Sequence, residues 1–450
     1  MLLNTLQQTA LNAMKNGENI FITGLGGTGK TELMKEYIKW HQNKFDEKSL
    51  DYLAVTSTTG VSAILLPRGK TIHSFAGIGV GEQSADILLK NVMKAFTKKL
   101  KWMRIKTIII DEVSMLSPEL FEKLDYIARN IKRRIEIPFG GVQIILSGDF
   151  CQLPAVKSTK FCFESPLWKE LLDETIYLKE NMRQSNTEFQ DCLSEIRMGK
   201  CSKATRKILK SRLGAELKND SGIMPTILYA RKEMVSSINR SNLSVLLSSD
   251  IERHIYDYKL SVKQKDETKK LNEKIVEYLK LKVIKDVNAE NTLTLAIGCQ
   301  VMLTTNINIE YGLINGSRGI ITSFDNGFPV VKFINGIEEK IIRHIWTFDE
   351  DTVEISYSQI PLILGYAFTI HKSQGTTIDF VETDIGDSIF EYGQAYVALS
   401  RVRTLDGLTL SGFNKKKIKT HPNVIEFYEA IDRGEYKKKP QNGSIECYFT

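Results

Sequence analysis

Apolar residues fall in short, nearly unbroken runs along the first part of the chain: "NIFITG", "DYLAVTST", "KTIIIDE", "GVQIILSGD" and "ETIYL". Runs of Ile, Val and Leu that do not alternate with polar residues suit parallel strands buried on both faces, with functional groups at their C-terminal ends. Helical patterns separate them, so the sequence predicts a doubly wound α/β domain. A later set, "IMPTILYA", "LILGYAFTI" and "GLTLSGF", predicts a second α/β layer, interrupted by a charged stretch from about residue 250 to 290. Between these, "GCQVMLTTNI", "GSRGIITSF" and "FPVVKFING" are β-rich runs joined by Gly/Asn turns. That spacing predicts a small antiparallel barrel inserted in the second layer. The expected domains are 1–178, then 179–297 with 356–430, an inserted barrel at 298–355, and a basic tail at 431–450 that does not fold alone.

Composition changes little in this picture. The formal net charge is +7 over 450 residues, so a polyanion partner has to be argued from local charge. No basic leader precedes an apolar core at the N-terminus and no run approaches a membrane span, so the expected setting is soluble and intracellular. Cys151, Cys162, Cys192, Cys201, Cys299 and Cys447 form no C-x-x-C pair and are expected to be reduced packing residues. The segment "KKLKWMRIK", residues 98–106, is expected to be a solvated face that turns Trp102 and Met103 inward.

Chemistry enters at "FITGLGGTGKTE", where Gly24, Gly29, Lys30 and Thr31 complete G-x-x-x-x-G-K-[ST] directly after an apolar strand. The glycines Gly24, Gly26, Gly27 and Gly29, with Thr28, let backbone N–H groups turn inward around phosphate oxygens. Lys30 reaches the β/γ-phosphates and the Thr31 hydroxyl ligates Mg²⁺. "KTIIIDEVSML" puts Asp111 and Glu112 at a strand exit, an acidic pair suited to holding the metal and polarising the attacking water, so hydrolysis is expected beyond binding. Gln152 follows the next strand as a sensor for the terminal phosphate. Arg183 in "LKENMRQ" and Arg401 in "GQAYVALSRVRT" suit the stabilisation of charge on a transferring phosphoryl group.

The ordered series "GLGGTGKT", "TSTTGVSA", "KTIHSFAGIG", "IIIDEVSM", "PFGGVQIILSGDFCQLP", "LKENMRQ", "LGYAFTIHKSQGTTID" and "AYVALSRVRT" resembles the motif set of superfamily-one DNA helicases. It is most similar to the Pif-type (petite-integration-frequency) branch, related to the RecD helicases. Residues 121–143, "FEKLDYIARNIKRRIEIPFGGVQ", resemble the signature that separates the two. The likeness runs from about residue 3 to 430 and implies two tandem RecA-like P-loop motor domains with a small β-barrel insertion in the second. It also implies an ATP- and Mg²⁺-dependent 5′→3′ DNA helicase in replication, recombination or repair. Carried onto this sequence, it assigns Gln7 to the adenine in preference to Gln8, and Lys30, Thr31, Asp111, Glu112 and Gln152 to the roles above. Arg183 and Arg401 become arginine fingers from the second motor domain, and Gly375 joins the nucleotide set. Leu25 and Gly26 in the phosphate loop and Ala155 after it depart from the family pattern without removing a catalytic atom.

A translocating motor needs backbone-directed contacts that do not read sequence. Thr56, Thr58 and Thr59 in "TSTTG" and His73, Ser74 and Phe75 in "TIHSFAG" offer them on the first motor domain. By resemblance, His371, Lys372, Ser373 and Gln374 line the single-strand channel on the second. The expected partners are single-stranded and forked DNA, bound by a monomer. In the tail, Asn442, Ile445, Tyr448 and Phe449 resemble a sliding-clamp peptide, with Asn442 where glutamine is usual. An RNA helicase and a DNA-stimulated remodelling ATPase without unwinding are the competing readings.

Overall fold

The computed structural model describes residues 3–46, 49–155, 158–180, 186–217, 222–264, 273–287, 289–308, 310–349 and 353–436. They fall into two compact units. The first takes the residues up to Thr205, Glu391–Val397 and those from Ile418 onward; the second takes Arg206–Phe390 and Ala398–Lys417.

The first unit is built on six strands: β1 (Ile20–Gly24), β2 (Leu53–Ser57), β3 (Lys70–Thr71), β4 (Thr107–Asp111), β5 (Gln143–Gly148) and β6 (Glu174–Leu178). Every pairing is parallel, in the order β3-β2-β4-β5-β1-β6. β1, β2, β4 and β5 are buried at every position, which is why their sequences are continuous apolar runs. Helix α1 (Thr5–Lys15) starts at a capping box between Asn4 and Gln7, and α2 (Lys30–Phe45) follows the glycine loop. Ala10, Leu11 and Met14 of α1 and Leu33, Met34, Tyr37 and Ile38 of α2 cover one face of the sheet around Ile22, Ile109 and Ile145. Full burial of such side chains contributes about 1.5–3 kcal/mol each.

The first unit extends beyond the boundary expected at 178/179, and the expected second motor domain at 356–430 is correspondingly revised. Helix Thr187–Arg197 buries Phe189, Cys192, Leu193 and Ile196 in the first unit, and helix Pro422–Asp432 returns to it. There Phe427 stacks on Phe163 with ring centroids 4.1 Å apart, and Tyr428 bonds Thr23 of β1 at 2.7 Å. These are aromatic contacts between distant segments, which a reading of local periodicity does not contain. In the helix Phe96–Arg104, Trp102 is buried as expected, but Met103, one residue and about 100° further round, is 51% exposed.

The second unit holds the other predicted parallel sheet, ordered Ala367–Thr369, Thr226–Tyr229, Val381–Ile385 and Leu408–Phe413. The run "LILGYAFTI" is two strands: Leu362–Leu364 pairs antiparallel with Gln300–Leu303, and only Ala367–Thr369 joins the parallel sheet. Gly365 marks the break, where a Cβ would sit 3.0 Å from the Val301 carbonyl carbon.

In place of one closed barrel over 298–355, the described β-rich residues form a two-stranded antiparallel sheet, Thr292–Ala296 with Arg253–Asp257, and two larger antiparallel sheets. One orders Glu338–Lys340, Phe328–Phe333, Arg318–Asp325, Gln300–Leu303 and Leu362–Leu364; the other orders His344–Asp349, Val353–Gln359 and Lys259–Gln264. Each recruits a strand from outside the expected range. Lys259–Gln264 reads as charged because only alternate residues turn toward the core, the period-2 pattern of a half-buried strand. Among the described residues no helix is long and apolar enough to cross a membrane.

Candidate functional site

The loop after β1 carries the phosphate-binding geometry. Gly29 adopts φ 80° as the N-cap of α2, a left-handed conformation that favours glycine, and so aims the first N–H groups of α2 at the loop. Lys30 Nζ donates to the Gly24 carbonyl at 2.6 Å and the Leu25 carbonyl at 2.9 Å, while Thr28 Oγ1 donates to Leu25 O at 3.0 Å. Burial pulls the Lys30 ammonium below its usual range, and Asp149, Glu112 and Asp111 oppose that shift. Gln7 is fully buried and donates through Nε2 to the Thr28 carbonyl at 3.1 Å, so the residue assigned to adenine also holds the loop; Gln8 is exposed.

Asp111 ends β4 and Glu112 follows in the left-handed region at φ 54°, ψ 46°. The turn is tight because Gly148, at the end of β5, lets the Val113 amide approach; a Cβ there would lie 2.8 Å from it. Burial raises the Asp111 carboxyl, and the Ser147 hydroxyl and Lys30 pull it back. A buried carboxylate raised in this way is relieved by an adjacent cation, so the donor set fits Mg²⁺, with Asp111 and Thr31 as the residues that would hold it. Gln152 is 5% exposed, and its Oε1 is buried without a hydrogen-bond partner among the described residues, which fits a side chain waiting for a polar ligand group.

The strand-gripping candidates divide. Thr58 donates its hydroxyl to the Glu112 carbonyl at 2.9 Å and its backbone N–H to the Asp111 carbonyl at 3.2 Å, joining this turn to the acidic pair. Thr59 is half-buried and caps the helix Gly60–Ile64. Thr56 is corrected: it is fully buried and bonds the Ile109 carbonyl inside the sheet, because it lies within β2 and not after it. His73, Ser74 and Phe75 are half-buried in the helix Ile72–Ala76, with Phe75 5.2 Å from the Trp102 ring.

In the second unit, His371 is half-buried, Lys372 is exposed and Ser373 and Gln374 are buried, with Gly375 at φ 82°. Arg401, also buried there, donates to Ser400 Oγ at 2.8 Å. Arg183 lies outside the described residues, as do Asn442, Ile445, Tyr448 and Phe449.

A buried network that sequence reasoning missed lies beside the loop. Asp149 is fully buried and accepts from Arg197 at 2.9, 3.0 and 3.2 Å, from Tyr428 OH at 3.0 Å and from Tyr396 OH at 3.2 Å. The Arg197 guanidinium also sits 4.1 Å from the Tyr428 ring centroid. Despite burial, Arg197 holds the Asp149 carboxyl below the usual carboxylate range. Tyr396 in turn accepts from the Gly26 N–H at 3.1 Å, so one hydroxyl spans the phosphate loop and Asp149, three residues before Gln152. Its position five residues before Arg401 in "GQAYVALSR" was the one available signal. Tyr396→Phe is expected to release this anchor at about 1 kcal/mol, roughly fivefold in ATP affinity. Titration with a fluorescent ATP analogue reads it, and unchanged or tighter binding would show that the hydroxyl does not order the loop.

A phosphate loop on β1, an acidic pair two strands away on β4, a buried glutamine after β5 and a second parallel sheet further along the chain define a P-loop motor ATPase. The family description "PIF1-like helicase" matches residues 2–207, and "DNA helicase Pif1, 2B domain" matches residues 279–324. The ATP-dependent DNA helicase PIF1 of Xenopus laevis is 35% identical over 443 residues, covering 96% of this chain and 65% of its own length, so the chain spans less than two-thirds of that relative. The Pif1 helicase structure from Candida albicans is 33% identical with a TM-score of 0.77, covering 96% of this chain and all of its own. A Bacteroides Pif1 structure in complex with ADP-AlF3 and ssDNA is 27% identical with a TM-score of 0.64, covering 97% and 99%. The chain belongs to the Pif1 helicase family.

Proposed function

We propose that this chain is an ATP-dependent DNA helicase that translocates 5′→3′ on single-stranded DNA and unwinds the duplex ahead. The observation that carries this reading is the Thr58 turn, which bonds the carbonyls of both Asp111 and Glu112 and so ties a strand-gripping segment to the hydrolytic pair. Likeness to the Bacteroides relative supports the ligands, since its structure holds ADP-AlF3 and ssDNA; the direction is a property of the family.

In this reading Lys30 and the loop amides neutralise and orient the phosphates of ATP, and Gln152 hydrogen-bonds the terminal phosphate or the water. Glu112 takes the proton of the attacking water. Mg²⁺, when bound by Asp111 and Thr31, supplies charge neutralisation at the phosphate oxygens. Arg401 and Arg183 are assigned to the charge on the transferring group by the sequence resemblance alone. A change at Glu112 moves the Thr58 turn through their shared hydrogen bond, giving hydrolysis a route to the strand.

A forked duplex with either a 5′ or a 3′ tail, on DNA or RNA tracks, tests the proposal. ATP-dependent unwinding of the 5′-tailed DNA fork is expected, with loss of at least a hundredfold in Lys30→Ala. No unwinding of 5′-tailed DNA would defeat the reading, and preference for an RNA track would replace it. The finer partner reading, a clamp bound through Asn442, Ile445, Tyr448 and Phe449, rests on the sequence pattern; clamp pull-down unaffected by deleting residues 441–450 would sink it. We further propose an intracellular monomer; a dimer in sedimentation at assay concentration would refute the monomer.

A further inference from the structure

The signature stretch 121–143 and the basic segment 98–106 have no part in the nucleotide site, yet they meet. Together with α2 and the end of α1 they line a pocket of about 320 Å³ in the first unit. Thr107 and Gln143, the first residues of β4 and β5, form part of its wall, so it opens at the N-terminal edge of the sheet. The phosphate loop follows the C-terminal end of β1, about 16 Å away along a five-residue strand. A ligand here is therefore separate from one on Lys30.

The wall chemistry is one-sided. Four cations, Lys15, Lys106, Lys132 and Arg134, line the pocket with the aromatic rings of Trp40 and Phe45, and among the described residues no carboxylate lines it. Two of the three Lys132 N–H groups go to backbone, the Met103 carbonyl at 2.9 Å and the Ile105 carbonyl at 2.6 Å, which fixes the ammonium in place and leaves one donor. Burial and the like charges of Arg134 and Lys106 push Lys132 down to about 8, with no acidic group opposing them. Trp40 already faces cations, with Lys15 Nζ 5.6 Å from its ring centroid. Cations that repel one another, Lys132 among them held in place by its two carbonyls, are stabilised by an anion, and Arg134 adds a planar fork matched to phosphate oxygens. The volume is at the small end for organic ligands, and Trp40 is a half-buried indole in the lining, with Lys15 and Lys44 over its ring, beside which a base can lie next to its phosphate.

We propose that this pocket is a second phosphate-ligand site, taking one nucleotide unit with its phosphate on Lys106, Lys132 and Arg134 and its base against Trp40. A free nucleotide and a nucleotide within a DNA strand present the same chemistry, and the test separates them.

The probes are 4-thiothymidine monophosphate and an oligo-dT octamer carrying one 4-thiothymidine, photo-crosslinked to the full chain and mapped by peptide mass. A crosslink in the α2 segment around Trp40 is expected from at least one probe. Its yield should fall tenfold or more in Lys106→Glu/Arg134→Glu, whose two side chains are exposed, and likewise in Lys15→Glu. Crosslinking by the monomer assigns the site to free nucleotides; crosslinking by the octamer alone assigns it to the strand. Basal ATP hydrolysis without DNA should be unchanged in these variants, which separates loss of the site from loss of the fold. Absence of any crosslink to that segment, or a yield that the charge reversals leave unchanged, overturns the proposal whatever the outcome of the unwinding assay.

Discussion

Arg197→Ala is expected to destabilise the first unit by about 3–5 kcal/mol. Arg197 is 1% exposed and Asp149 is fully buried. Removing the guanidinium leaves a buried carboxylate with the Tyr396 and Tyr428 hydroxyls and the Cys151 N–H as its donors among the described residues, and Lys30 as a nearby cation. It also leaves Tyr177 OH without its 2.7 Å partner. The cost is that of a buried charge that has lost its directly bonded cation and keeps only the more distant Lys30 opposite it, so it should shrink when the charge is removed too. Asp149→Asn combined with Arg197→Ala is accordingly expected to be more stable than Arg197→Ala alone, a non-additivity that urea unfolding of wild type, both single variants and the double variant would read. Equal midpoints for Arg197→Ala and wild type would mean that the pair is not a structural charge couple. The pH dependence has a definite sign. Asp149 is depressed in the folded state, so its contribution is fully present above the ordinary carboxylate pKa of about 3.9 and is lost only as pH falls through the lower folded value.

This network also marks where the sequence stopped being informative. The strands of the first sheet are legible because burial on both faces writes itself into consecutive residues, and the phosphate loop because its glycines, Lys30 and Thr31 are adjacent in the chain. Asp149 is 48 residues from Arg197, 247 from Tyr396 and 279 from Tyr428; Arg197 and Tyr428 lie in ordinary amphipathic helices, and Tyr396 in a helix, Gln394–Arg401, that is buried throughout. Nothing local distinguishes Arg197 in "SEIRMGK" from a surface arginine, and nothing local marks the return of Glu391–Val397 to the first unit. Thr56 failed differently: "TSTTG" reads as a turn, but strand β2 runs on to Ser57 and takes Thr56 inside. Thr58 and Thr59, which lie beyond the strand end, keep positions from which a backbone can be gripped.

Glu112→Gln is expected to retain ATP binding within about threefold while lowering hydrolysis by roughly a hundred- to ten-thousandfold, the range spanned by a positioned general base. The substitution is nearly isosteric, and the turn that carries it is set by backbone: φ 54° at Glu112, the Val113 amide against Gly148, and the Thr58 hydroxyl on the Glu112 carbonyl. None of these needs the carboxylate, so the scaffold and the link to Thr58 should survive. Lys30 loses one of the negative charges that offset its burial, a modest effect because Asp149 and Asp111 remain and Asp149 is the stronger influence. Asp111→Asn should behave differently, weakening Mg²⁺-dependent binding of ATP, because Asp111 is the buried carboxylate that a cation relieves. Single-turnover hydrolysis beside equilibrium ATP binding, measured for both variants at several Mg²⁺ concentrations, separates the two roles. Turnover in Glu112→Gln within tenfold of wild type would remove Glu112 as the base and return the proton to another group of the site.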